Sequence, residues 1–130
     1  MIAVLRGHGI QATPQRIAVA RFVLPTKAHP SADEVWKHVR RRCPTLSRAT
    51  VYNALNLFAR KGLIRPQVLK GGLVVFDPRT DAHHHFIDEE TGRIHDVPWN
   101  AIRVTGEKSL RGYEVREYQV VLRGRRRRNV

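Results

Sequence analysis

At 130 residues the chain can hold one ordinary domain or two small ones, and its 42% hydrophobic content supports a folded core and excludes wholesale disorder. No apolar run approaches the roughly 20 residues of a bilayer span, and the first residues lack the basic start and long apolar middle of a signal peptide, so the expectation is a cytoplasmic protein with no membrane partner. The single cysteine, Cys43, excludes an internal disulfide and a cysteine-rich zinc knuckle.

The net charge of +13 is unevenly placed: residues 1–76 hold thirteen Lys/Arg against Asp33 and Glu34, a net of +11, whereas residues 77–130 hold eleven against nine acidic residues, a net of +2. A basic first half implies a polyanionic partner, because Lys and Arg displace condensed counterions from phosphate backbones. The run Arg125 to Arg128 is either a further contact of that kind or a solvated end.

In chain order, residues 2–7 suggest a short helix that Gly7 and Gly9 end. Thr13 then offers an N-cap and Pro14 a first helical position, for a helix running to about Leu24, where Pro25 stops it. Ser31-Ala-Asp-Glu34 reads as a capping box. Ala32, Val35, Trp36 and Val39 follow the i, i+3, i+4, i+7 spacing of one buried face, and this helix should end near Arg42, before Cys43-Pro44.

Ser47 caps a third helix that runs to Lys61 and closes on Gly62. Val51, Ala54, Leu55 and Phe58 form its inward stripe, and Ala49, Tyr52, Asn53 and Asn56 fall on the opposite side, flanked by Arg48 and Thr50. That outer face carries an aromatic ring and two amides in place of Glu–Lys pairs. Two apolar strands, Leu63 to Lys70 and Leu73 to Phe76, follow around Gly71-Gly72. Three helices and a hairpin in this order predict a winged helix whose third helix enters a major groove. Asparagine can pair with adenine edges there, Tyr52 can pack on a thymine methyl, and Arg65 and Lys70 sit on the wing. A winged helix used only for protein contacts is the competing reading.

The stretch Asp77-Pro-Arg-Thr-Asp-Ala-His-His-His-Phe86, answered by Asp96, concentrates three imidazoles and two carboxylates. In an extended segment His83 and His85 point one way and His84 the other. Nitrogen and oxygen donors of this kind suit Zn, Fe(II) or Mn(II). Phe86-Ile87 and Arg93 to Val97 predict a second hairpin around an acidic turn. Pro98 to about Gly106 reads as one short helix burying Trp99 and Ile102. Tyr118, Val120 and Leu122 alternate as a last strand, with a bulge or late start near Arg116. Such a unit is thin, and pairing with a second copy of itself is the simplest remedy.

Thr13-Pro-Gln-Arg16, Ala28-His-Pro-Ser-Ala-Asp33, Ser47-Arg-Ala-Thr-Val-Tyr-Asn53 and Phe76-Asp77 through His83-His-His85 together resemble the ferric uptake regulator family, in order and spacing over nearly the whole chain. The resemblance implies an α+β protein: a winged-helix DNA-binding domain over 1–77, a hinge at 78–81, and a small α/β dimerisation and metal-sensing domain over 82–130. It implies a homodimer on a double-stranded DNA operator, a transcriptional regulator switched by a divalent ion. The regulatory site maps onto His29, Asp77, His83, His85 and Asp96, with Fe(II) or Mn(II) as the ion and Zn possible in vitro. DNA contacts are expected at Arg16, Arg48, Ala49, Thr50, Tyr52, Asn53, Asn56, Arg65 and Lys70.

Departures from the family pattern carry information. Asp88 and Thr91 occupy the first pair of structural-zinc cysteine positions and no cysteines serve the second, so no structural zinc held by four cysteines is expected. A further site seen in some members would fall on Ala82, His84, Arg103 and Tyr118, of which only His84 is a good ligand, leaving one metal per subunit. Asp rather than Glu at position 96 resembles the peroxide-sensing branch, in which a ligand histidine gains an oxygen atom. The Ala-His-His-His run, the missing zinc cysteines and Gly112 to Val115 resemble the haem-sensing iron-response branch. Cys43-Pro44 is formally a haem motif, and otherwise a packed loop thiol. Two other classes compete: a non-haem iron enzyme built on two His and one carboxylate, and a basic structural nucleic-acid binder.

Overall fold

The computed structural model describes residues 1–70 and 72–128, with backbone alone for Leu69 and Lys70. Two compact units divide the chain, Met1–Thr80 and Asp81–Val130.

The first unit contains α1 (Ile2–Gly7), α2 (Pro14–Val23), α3 (Ala32–Val39), α4 (Arg48–Arg60), β1 (Arg65–Lys70) and β2 (Leu73–Asp77). Hydroxyl caps start the three longer helices. Thr13 accepts the Arg16 N–H at 3.3 Å, Ser31 the Glu34 N–H at 3.2 Å, and Ser47 the Thr50 N–H at 3.1 Å. Glu34 closes the capping box by accepting the Ser31 N–H at 3.4 Å. The α3 helix ends at Val39, short of the expected Arg42, and tight turns carry the chain on to Cys43.

Each helix sends its apolar stripe into one core, with Leu5, Val19, Val23, Val35, Val51, Leu55 and Phe58 all fully buried. Full burial of one such side chain stabilises by about 1.5–3 kcal/mol. Cys43 packs half-buried against this cluster. The wing strands β1 and β2 pair antiparallel from Arg65↔Asp77 to Val68↔Val74, with a bulge before Lys70↔Leu73. Gly72 takes φ +86° in the turn, a conformation open to glycine without strain. The base of the wing is tied to the loop before α3: the Phe76 N–H donates to the Pro30 carbonyl at 2.8 Å, and Ser31 bridges to Val75.

The second unit is a three-stranded sheet of β3 (His84–Asp88), β4 (Ile94–Val97) and β5 (Val121–Gly124), in the order β4-β3-β5. The central β3 pairs antiparallel with β4 and parallel with β5. Among its described residues the buried apolar side chains are Ile87 and Ile94, so the unit's own core is thin.

Two expectations are corrected here. Residues 98–106 form no single helix: short 3-10 turns occupy Trp99–Ala101 and Glu107–Ser109, Trp99 is 36% exposed and Ile102 half-buried. Gly106, at φ +88°, separates the two turns. The last strand begins at Val121, later than the alternation of Tyr118, Val120 and Leu122 suggests. The reason is local: the Val120 N–H donates to Nδ1 of His84 at 2.9 Å, so the ladder starts one residue on.

Candidate metal centre and nucleic-acid face

In the first unit, Nε2 of His29 lies 3.0 Å from Oδ2 of Asp77, both side chains almost fully buried. His29 sits in the loop between α2 and α3, and Asp77 ends β2. The Phe76–Pro30 hydrogen bond joins the residues next to each, which is what brings the pair together. Among the described residues His29 is the one non-glycine residue at positive φ, +52°. A left-handed backbone costs a side-chain-bearing residue about 1–2 kcal/mol. Strain of this kind persists where surrounding structure over-determines it, commonly at ligand sites. Asp77 Oδ1 also accepts the Arg79 N–H at 2.9 Å, which holds the carboxylate's orientation.

In the second unit, His83, at the edge of β3, and His85, within it, share a face as alternation requires, with ring centroids 4.7 Å apart. Their Nε2 atoms converge on Oδ1 of Asp96, at 3.4 and 3.7 Å. Asp96 is brought there by the strand register, which places it opposite His85 on β4. The other ring nitrogen of each histidine is committed. Nδ1 of His83 donates to the Asp81 carbonyl at 2.7 Å, and Nδ1 of His85 to Oε1 of Gln119 at 3.0 Å. A carbonyl-type oxygen can only accept, so Nδ1 carries a hydrogen and Nε2 is the ring atom aimed at the carboxylate. Two imidazole Nε2 atoms and a carboxylate oxygen form a donor set that fits Fe(II), Mn(II) or Zn.

His84 points the opposite way, as alternation predicts, but faces neither solvent nor an open interface. It is fully buried, stacked on Trp99 at 4.6 Å, and both its ring nitrogens are hydrogen-bonded. At the position where the resemblance places the first zinc-cysteine pair, Oδ1 of Asp88 accepts the N–H groups of Glu90 and Thr91 at 2.9 and 3.2 Å. Burial raises the Asp88 carboxyl's pKa, but these backbone hydrogen bonds and one from the Thr91 side chain outweigh it, and the net shift is downward.

The expected DNA-reading face lies on α4. Arg48, Ala49, Tyr52, Asn53 and Asn56 are exposed, and Thr50 is half-buried with Oγ1 2.8 Å from the Ser47 hydroxyl. Arg16 donates to the Gln11 carbonyl at 2.9 Å. Arg65 is half-buried on β1, and the Lys70 side chain lies outside the described residues. Sequence reading missed Asp33, whose Oδ1 accepts the Tyr52 hydroxyl at 2.8 Å, and Trp36, under the Arg48 guanidinium at 4.4 Å. It also missed Gln119, which lies 34 positions from the histidine it supports and gives no local signal.

Residues 7–123 match the sequence profile of the Ferric uptake regulator family. The chain belongs to the ferric uptake regulator family. Among curated relatives it is 37% identical over 95 residues to the peroxide-responsive repressor PerR of Staphylococcus epidermidis, covering 73% of this chain and 63% of that one. It is 38% identical over 98 residues to PerR of Staphylococcus aureus strain Mu50, covering 75% and 66%. The match therefore spans a little under two thirds of those relatives' length. Among solved structures, the ferric uptake regulator of Pseudomonas aeruginosa with manganese superposes with a TM-score of 0.69 at 28% identity, over 94% of each chain. The α+β architecture of this member, a winged helix followed by a small α/β domain, is thus the family's fold. Among the described residues no helix is long and apolar enough to cross a membrane.

Proposed function

We propose that this ferric uptake regulator family member is a dimeric, DNA-binding transcriptional regulator, not an enzyme, switched by one Fe(II) or Mn(II) per subunit and responsive to peroxide. The ion would be held by His29, Asp77, His83, His85 and Asp96. The observation that carries the reading is the pair of Nε2 atoms converging on Asp96 while both Nδ1 atoms are tied down. Histidines oriented this way are prepared for a cation, because the hydrogen bond on one nitrogen fixes the tautomer and aim of the other. His29 and Asp77 add an imidazole and a second carboxylate. Two carboxylates neutralise a divalent charge, and three neutral imidazoles complete a five-donor set that leaves little room for an organic substrate. When bound, the ion supplies a positive centre that offsets the repulsion among these acids and makes folding and DNA affinity depend on its presence.

Peroxide as the signal rests on the PerR relatives and on Asp, not Glu, at position 96. DNA as partner rests on the +11 charge of residues 1–76 and on an α4 face free of acidic residues. A second copy as partner rests on the thin core of residues 81–128 and the exposed Leu110, Tyr113 and Leu122 there. Action on DNA places the protein in the cytoplasm. Gel-shift titration on duplexes selected from a random pool tests the reading. Binding should need Mn(II), vanish on chelation, and be lost when the Fe(II) form meets peroxide. Equal binding after full chelation overturns the metal switch.

A further inference from the structure

Asp33 and Glu34 are the acidic residues of positions 1–76. Glu34 closes the α3 capping box. Asp33 turns toward α4, where its Oδ1 takes the Tyr52 hydroxyl at 2.8 Å and lies 3.8 Å from the Arg48 guanidinium. Arg48 also rests on the Trp36 ring at 4.4 Å, and Arg40 approaches the same ring at 4.5 Å. The indole N–H is in turn anchored to the Leu46 carbonyl at 3.0 Å. Two side chains expected to meet DNA are therefore held, before any duplex arrives, by two that are not. A carboxylate beside a phosphate-seeking surface weakens attraction to every duplex alike, so its presence there calls for a compensating role.

We propose that Asp33 is a positioning residue for sequence discrimination, fixing the Tyr52 ring on the reading face and keeping its hydroxyl proton from phosphate oxygens. The inference rests on the DNA-reading role proposed for α4. Phosphates recur at every step of a duplex and carry no sequence information. A thymine methyl marks one base, and an aromatic face recognises it by apolar contact. Tyr52 is 40% exposed, and a cleft of about 280 Å³ opens beside it, with Ala32, Leu73, Val74 and Phe76 among its walls. That setting suits a ring that reads by packing. The Tyr52 phenol is held above its ordinary pKa, chiefly by its hydrogen bond to Asp33, with smaller upward pushes from desolvation and the carboxylate's charge and a downward one from Arg48. The hydroxyl thus stays a proton donor to Asp33 across the physiological range.

The test uses the full-length Mn(II)-loaded protein and two duplexes, one selected from a random pool by the wild type and one with that sequence scrambled. Asp33→Ala should raise affinity for the scrambled duplex and lower the selected-to-scrambled ratio about tenfold, the scale of one lost base contact. Asp33→Asn keeps an acceptor for the hydroxyl and should hold the ratio within about threefold of wild type. Tyr52→Phe should lower the ratio as Asp33→Ala does, and the double variant should be no worse than either single one, since both break the same tie. An unchanged ratio in Asp33→Ala, or single effects that multiply in the double variant, overturns the inference. So does an equal loss of affinity for both duplexes, the signature of a merely structural role. A wild type that selects no duplex overturns the DNA-reading role and this inference together; a selective wild type with an indifferent Asp33→Ala overturns the inference alone.

Discussion

Val120 donates its backbone N–H to Nδ1 of His84 at 2.9 Å, while Nε2 of the same ring lies 3.2 Å from the Trp99 carbonyl. Nδ1 accepts and Nε2 donates, so the imidazole is a fully satisfied buried bridge between the end of β4 and the start of β5. Replacing it with alanine leaves two part-buried backbone groups short of partners and a void against Trp99. His84→Ala should destabilise the protein by about 2–4 kcal/mol, read by urea unfolding. Mn(II) bound per subunit in the folded variant should match wild type. A stable variant that has lost its metal would reverse this assignment.

Oε1 of Gln119 accepts from Nδ1 of His85, the ring nitrogen opposite the proposed donor atom. Partners of this kind orient the imidazole, and their loss typically weakens metal binding about 10–100-fold. Gln119→Ala should shift the Mn(II) titration by that factor, and Asp96→Ala should abolish the transition. Thermal melts give a second reading. Mn(II) at 100 times its Kd should stabilise wild type by about 2.7 kcal/mol, and should leave the Asp96→Ala melt unmoved.

The Asp88 carboxyl has a lower pKa folded than unfolded. A depressed carboxyl stabilises the fold at pH values above its unfolded pKa, and that contribution is lost as pH falls through the folded value. Asp88→Asn should therefore be less stable than wild type at neutral pH, with the gap closing on acidification below the usual carboxylate range. Paired unfolding curves across that range check the sign. A gap that widens toward acid would contradict it.

Ser47 holds the first turn of α4, its Oγ accepting the Thr50 N–H at 3.1 Å. Ser47→Ala should cost about 1 kcal/mol, measured by denaturant midpoint. Because Thr50 Oγ1 also sits 2.8 Å from the Ser47 hydroxyl, a Thr50→Val change should cost less than the loss of the cap itself.

Much of this protein was legible in its sequence because the signals are local. Thr13, Ser31 and Ser47 each cap the helix they announce, and the Val51–Phe58 stripe is buried as its spacing requires. The alternation of His83, His84 and His85 correctly separated the pair that meets Asp96 from the ring that packs on Trp99. What escaped is set by tertiary contact. Gln119 and Val120 reach β3 across more than thirty residues. Asp33 looks in sequence like a helix-start acid, and only the approach of α3 to α4 gives it Tyr52. Trp99 and Ile102 share a helical spacing, yet the segment breaks into short turns that leave the indole part exposed.

His29 runs without slack into Pro30, whose carbonyl holds the wing at Phe76, and then into Ser31, which caps the helix bearing Asp33. That one imidazole is therefore joined through a few residues to both margins of the proposed reading surface, the hairpin on one side and the tether of Tyr52 on the other. If His29 holds the proposed ion, loading and emptying it would act on the proposed reading face through a few bonds of backbone inside a single winged helix.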